Sequence, residues 1–242
     1  SAGGSVSGVP SNPNPAKVIN MSLGGRASCP TTYQSAINSA RSRGAVIVVA
    51  AGNSNENASQ HTPANCSGVV TVAAIDSSGD RSVYGGGQAS NCGSAVDVAG
   101  PGRQILSTLN SGSTTPSSDS YSNYGGTSMA TPHVAGVAAL MLAKDPTLTP
   151  NEIESILKSS ARPFLSGSTC NTSDCGDGML DAPAALAAIG GGNPPPPPPG
   201  GSSLTKGVAK TGLSGAQGSE TRFTFEVPSG ASNVTFNTSG GS

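Results

Sequence analysis

The sequence predicts an α/β fold: a mostly parallel sheet with helices on both faces, followed beyond a proline-rich linker by a partial β module. Three observations carry this. Residues 45–50 (AVIVVA) and 69–75 (VVTVAAI) are continuous apolar runs rich in β-branched residues, the mark of strands covered on both faces. A shorter strand-like segment, residues 17–23 (KVINMSL), is joined to the first run by a helical pattern, and strand–helix–strand in that order makes a parallel pair with a right-handed crossover. Six consecutive prolines, residues 194–199, then separate this region from a short stretch of alternating pattern.

The remaining elements follow in order. Residues 1–16 are rich in Gly, Ser, Asn and Pro and read as loop. Residues 31–43 place Tyr33, Ala36, Ile37 and Ala40 at helical spacing, with Gly44 as the stop. Residues 95–99 are a candidate fourth strand. Residues 128–143 are apolar and Ala-rich nearly all round, which predicts a buried helix ended by Lys144-Asp145-Pro146. Thr149-Pro150-Asn151-Glu152 is a capping box with proline at the first helical position, opening a helix to about Ser160. Asp181 can cap a last short helix through Ile189. The linker, residues 190–203, is a stiff polyproline spacer between glycine joints. Beyond it, residues 221–227 (TRFTFEV) and 233–238 (NVTFNT) alternate as strands do. A module of about forty residues without cysteine is too small for an independent core, so residues 204–242 read as truncated. The expected division is 1–189, 190–203 and 204–242.

Composition narrows the function. Charged residues are 10% of the chain, against roughly 25% in an average soluble domain, and the net charge is -1, so no polyanion or nucleic-acid partner is expected. The Lys-poor, Ser/Thr/Asn-rich character fits a secreted protein. No apolar run is long enough to span a membrane, and the first residues lack the charged and apolar regions of a signal peptide, so any signal is expected to be missing or removed. The five cysteines, Cys29, Cys66, Cys92, Cys170 and Cys175, show no zinc-site spacing. An oxidising compartment with two disulfides is expected. Cys170–Cys175 is the near pair and Cys29–Cys66 the second choice. Cys92 is then either a buried free thiol or bonded to chain outside this sequence.

The strongest motif is Gly126-Thr127-Ser128-Met129-Ala130-Thr131-Pro132-His133-Val134-Ala135-Gly136. A serine in the first turn of a buried helix sees unpaired backbone N–H groups and the positive end of the helix dipole. The glycines before it let backbone and substrate approach closely. A second signal, Ala50-Ala51-Gly52-Asn53, ends a buried strand, where open α/β sheets bind ligands. A third, Ser22-Leu23-Gly24-Gly25, follows the first strand.

The motif around Ser128 closely resembles the serine segment of the subtilases, the subtilisin-like serine peptidases, and the resemblance runs over most of residues 17–189. It includes residues 97–102 (DVAGPG) and the Pro63-Ala64 pair. It implies that Ser128 is the acylating nucleophile of a serine endopeptidase and that Asn53 is the side-chain oxyanion donor, with the backbone N–H of Ser128 as the second. It also implies that Ser22, Leu23, Gly24 and Gly25 bind substrate as an added strand. By the same match, Ala50, Ala51 and Gly52 wall the primary specificity pocket. Substrates are then proteins or peptides, and the chemistry needs no cofactor. His133, on the same helix as Ser128, is not the base. The start of the module after the linker resembles a bacterial pre-peptidase C-terminal domain.

The sequence also departs from the family. A serine triad needs a base and an acid that orients it. Subtilases carry these upstream, in Asp-Thr/Ser-Gly and His-Gly-Thr-His segments, and neither segment occurs here. The expectation is a fragment whose partner is the missing N-terminal part of the same enzyme, and which is inactive alone. His61, in the polar loop 54–62, reads first as an exposed loop histidine. Counting back from Pro63-Ala64 gives the second reading, a residue near the floor of the specificity pocket that biases side-chain preference with pH. For metals, Asp97 matches a position near a cation site in some subtilases, but the neighbouring acid is Ala95. Asp174, Asp177 and Asp181 lie near the last cysteines. No metal site is assigned, and structural calcium in the full-length enzyme is what the resemblance allows. Two alternatives are weighed. One is a non-catalytic, degenerate protease-like module tethered to a β-domain, which a genuine start codon just before Ser1 would favour. The other is an α/β-hydrolase esterase, which wants Gly-x-Ser-x-Gly where this chain has Ala130.

Overall fold

The apolar runs lie at the centre of a four-stranded parallel sheet. The computed structural model describes residues 8, 10 and 12–190, and the backbone of 202–203 and 223–224. Along the chain, β1 (Val18–Met21) and the two-residue β2 (Gly25–Arg26) precede α1 (Thr31–Ser42) and β3 (Val46–Ala50). A 3-10 turn leads into β4 (His61–Thr62), followed by β5 (Val70–Ile75), the small hairpin of β6 (Val83–Gly85) and β7 (Gln88–Ala89), and β8 (Val98–Pro101). The longer hairpin of β9 (Ile105–Asn110) and β10 (Asp119–Tyr124) comes before α2 (Thr127–Lys144), α3 (Pro150–Ser159) and α4 (Ala182–Ala187).

The sheet order is β1-β3-β5-β8, every pair parallel. Every residue of β3 and β5 is buried. Alternation divides them between two layers. Val46, Val48, Val70, Val72, Ala74 and Val98 pack against α2, α3 and α4. Ile47, Val49, Ala73, Ile75 and Ala99 face the other way, toward Ile37 of α1 and the loops. Each valine or isoleucine among them contributes about 1.5–3 kcal/mol on burial, so these strands fix the frame that aims the loops at their carboxyl ends. The capping box forms: the Thr149 hydroxyl and the Glu152 carboxylate bond each other's backbone N–H groups at the start of α3. Asp181 caps α4 through the Ala184 N–H.

Two expectations are corrected. The fourth strand runs over 98–101 rather than 95–99, because Ser94 and Ala95 form a turn and Asp97 bonds the Thr71 N–H of β5 through its side chain at 2.8 Å. α2 is not buried all round. Pro132, His133, Gly136, Ala139 and Leu140 form an exposed stripe beyond the four strands it covers.

Cys29–Cys66 and Cys170–Cys175 are the two disulfides, and Cys92 is a half-buried free thiol. In the chain-entropy picture the 37-residue Cys29–Cys66 separation stabilises by about 4 kcal/mol, and it ties the segment after β2 to the segment after β4. The chain forms two compact units, Ser1–Pro194 and Pro195–Ser242. In the second, β11 (Ser202–Ser203) pairs in parallel with β12 (Phe223–Thr224). The alternating segment 233–238, and 221–227 apart from β12, lie outside the described residues.

Candidate active site

Loops leaving the carboxyl ends of β1 and β3 meet the first turn of α2. Leu23, Gly24, Gly25, Ala50, Ala51, Gly52, Asn53 and Ser128 line one pocket of about 460 Å³, together with Arg26, Ser54, Glu56, His61 and Thr127. Ser22 stands outside the pocket wall and bonds to Ser128 instead.

That bond begins with a proline. Pro132 lies inside α2 and has no N–H, so the Ser128 carbonyl lacks its usual partner four residues on. The Ser22 hydroxyl takes the vacant place, donating to the Ser128 carbonyl at 2.8 Å. In return the Ser128 hydroxyl donates to the Ser22 carbonyl at 3.3 Å. The strand-end loop is thereby fastened to the helix start. Neither histidine of the chain bonds Ser128. His133 is exposed, with Nδ1 at 2.8 Å from the Met129 carbonyl.

Asn53 is oriented by a buried threonine. Its Oδ1 accepts from the Thr127 N–H at 2.9 Å and from the Thr127 hydroxyl at 3.0 Å. The same hydroxyl accepts from the Gly52 N–H at 3.2 Å. With Oδ1 doubly bonded, the NH₂ end of Asn53 is the end left to donate. It lies toward Gly126, where an added Cβ would sit 3.4 Å from Nδ2 and 3.7 Å from the Ser128 nitrogen. Gly126, at φ +155, therefore leaves open a space that Asn53 and the Ser128 nitrogen border. Behind this turn Tyr84 packs 3.3 Å from where a Gly125 Cβ would be. Burial pushes the Tyr84 hydroxyl up to about 12, with the nearby Ser82 hydroxyl and Arg103 opposing it. Both the Tyr84 and the Ser82 hydroxyl are buried without a hydrogen-bond partner among the described residues.

The far end of the pocket is charged. His61 is 5% exposed, so the exposed-loop reading is corrected. The antiparallel pairing of β2 with β4 sets Arg26 opposite His61 and turns the imidazole inward. His61 Nε2 lies 2.8 Å from Glu56 Oε2, and Arg26 Nη1 lies 2.5 Å from Glu56 Oε1. Asn91, fully buried, holds the loop between: its Oδ1 accepts from the Ser54 and Glu56 N–H groups, and its Nδ2 donates to the Ala51 carbonyl.

This geometry can be set beside known proteins. A sequence model of the subtilase family matches residues 4–218. The chain belongs to the subtilase family. It is 54% identical over 235 residues to an extracellular protease of Xanthomonas campestris pv. campestris, covering 97% of this chain and 39% of that protein. It is 42% identical over 193 residues to an extracellular basic protease of Dichelobacter nodosus, covering 78% and 31%. Among solved structures, a protease from Pseudoalteromonas arctica superposes with a TM-score of 0.71 at 55% identity, covering 77% of this chain and 55% of that one. This subtilase chain thus spans 39% and 31% of the two curated relatives.

Several residues that line or brace this pocket carry no signal in the sequence. Asn91, Glu56 and Arg26 sit in polar loops or at short strands whose pairing is not legible in periodicity. Thr127 and Pro132 stand within the serine motif, but their roles show only in three dimensions. Asp97 does not fit a cation: its Oδ2 accepts from Thr71 and its Oδ1 bonds Lys158 Nζ at 2.9 Å. That hydrogen bond holds Lys158 above the ordinary lysine range. Asp174 bonds Asn171, and Asp181 caps α4. Among the described residues no group of three or more His, Cys, Asp or Glu could hold a metal, and no helix is long and apolar enough to cross a membrane.

Proposed function

We propose that this chain carries the nucleophile, the oxyanion hole and the primary specificity pocket of a secreted serine endopeptidase. The observation that carries the reading is the orientation of Asn53. Thr127 occupies its carbonyl end twice over, and its amide nitrogen and the Ser128 nitrogen lie 3.4 and 3.7 Å from a single point, where a Gly126 Cβ would sit.

In the proposed reaction an extended protein segment lies along residues 22–25, and the side chain before the scissile bond enters the pocket. The Ser128 oxygen attacks the carbonyl carbon as a base removes its proton. The base and its orienting acid belong to the part of the enzyme outside this sequence. The carbonyl oxygen becomes an oxyanion held by Asn53 Nδ2 and the Ser128 N–H, worth about 3–4 kcal/mol of barrier for the side-chain donor. Collapse expels the amine, which takes the proton, and leaves an acyl-enzyme on Ser128 that water hydrolyses. The exposed stripe of α2 and the sheet-edge position of β1 give the remainder of the domain a surface to cover. Residues 1–189 are on this reading the C-terminal part of the catalytic domain, and residues 204–242 the start of a pre-peptidase C-terminal type module. The names of the relatives support secretion.

The test is hydrolysis of a chromogenic peptide by the full-length protein, its Ser128→Ala variant and the isolated chain. Turnover by the full-length protein alone supports the reading. Ordinary protease rates from the isolated chain, or from Ser128→Ala, would overturn it.

A further inference from the structure

The specificity pocket holds charges that the proposed chemistry does not use. Arg26 comes from β2, His61 from β4, and Glu56 from the loop after Asn53. Glu56 has both carboxylate oxygens occupied, Oε2 by His61 Nε2 at 2.8 Å and Oε1 by Arg26 Nη1 at 2.5 Å. The two partners differ in kind. His61 is 5% exposed and packs beneath Gly52, where an added Cβ would lie 3.5 Å from its Nδ1. The Arg26 side chain is 65% exposed. An ion pair that open is weak, so Arg26 leaves at little cost, whereas the imidazole is enclosed. The Glu56 backbone is fixed too: its N–H donates to Asn91 and its carbonyl accepts from the Cys92 N–H at 3.0 Å. The pocket wall therefore presents a carboxylate locked on one oxygen and covered on the other by a displaceable cation.

We propose that Glu56 is a specificity-determining residue that selects lysine or arginine before the scissile bond. The incoming cation takes the place of Arg26 on Glu56 Oε1, and Arg26 turns out to solvent. The exchange conserves the pocket's charge, and the substrate's cation would reach Glu56 from within the pocket, whereas Arg26 holds it from a side chain 65% exposed. Gly25 leaves the approach open, since an added Cβ there would meet nothing within 4 Å. A substrate glutamate meets like charge at the same point. The inference rests on the endopeptidase reading.

The experiment uses the full-length enzyme and peptides identical except before the scissile bond, where lysine, glutamine, leucine or glutamate is placed. The readout is the ratio of kcat/KM for lysine over glutamine, which is of similar length and uncharged. The wild type is expected to favour lysine at least about tenfold. Glu56→Gln, which keeps an oxygen for His61, is expected to bring the ratio close to one. Arg26→Gln, on an exposed side chain, is expected to raise it about threefold by removing the competing cation. A wild-type ratio near one, or a ratio unmoved by both variants, overturns the proposal. Titration of active enzyme in each preparation separates misfolding from altered choice. If leucine peptides are cleaved while the lysine ratio fails these tests, Glu56 alone loses its role. If no peptide in the series is cleaved, the endopeptidase reading falls and this inference with it.

Discussion

The two ends of the pocket are built differently. At the Ser128 end the groups are neutral and each is tied to backbone: Thr127 holds Asn53 and Gly52, Ser22 holds Ser128, and Gly126 keeps the space between the donors clear. At the Glu56 end three ionisable side chains hold one another, and one of them is largely in solvent. Neutral donors fixed by backbone have little freedom to reorganise, which is what stabilising a transient oxyanion requires. Charged side chains that can exchange partners suit the selective wall proposed above, which would accept one substrate residue and refuse another.

Substitutions can break or sharpen this contrast, and all are read in the full-length protein. The largest effect is expected at the hydroxyl itself: Ser128→Ala should lower kcat about 10⁶-fold with substrate binding nearly intact. Asn53→Ala should lower kcat about 10²–10³-fold with little change in KM, a range that rests on the equivalent loss in a subtilisin. Thr127→Val keeps the shape but leaves the Gly52 N–H unpaired and removes one hold on Asn53. It should cost about 1–3 kcal/mol of stability in chemical denaturation and about tenfold in kcat. At the other end, Gly25→Val should raise KM for large residues before the scissile bond and leave kcat for alanine in that position within about twofold. An effect of Gly25→Val on kcat as large as that of Thr127→Val would erase the distinction between the two ends.

The smallest effect lies behind the turn. Burial raises the Tyr84 hydroxyl from its ordinary 10.0 to about 12. Between those values the unfolded chain gives up this proton and the folded protein keeps it, so stability falls as pH rises through the window. Two pH units would be about 2.7 kcal/mol, and because the tyrosine as a whole is only half-buried this is discounted to about 1 kcal/mol. Tyr84→Phe should flatten the decline in melting temperature between pH 10 and 12 and leave it unchanged near neutrality.

The same two ends differ in how far the sequence reveals them. The strands β3 and β5 announce themselves as unbroken apolar runs because both faces are covered. The serine motif is eleven residues in a row, and Asn53 stands directly after a buried strand. The charged end has no such signature. Arg26, Glu56 and His61 are spread over three segments, and two of those segments meet only through the register of β2 with β4, each two residues long. A polar loop with one histidine reads as surface until that register is known. The exposed stripe of α2 was illegible for a related reason: an Ala-rich helix looks buried all round, and only the number of strands beneath it decides how much of it is covered.

The most direct test of the central claim is covalent labelling of the full-length protein with a fluorophosphonate, followed by mass mapping of the adduct and a rate measurement with and without Asn53→Ala. If Ser128 and Asn53 act on the same oxygen, one adduct forms, on Ser128, and Asn53→Ala slows labelling at least about tenfold without moving it. An adduct on another residue, or a rate indifferent to Asn53, would contradict the assignment.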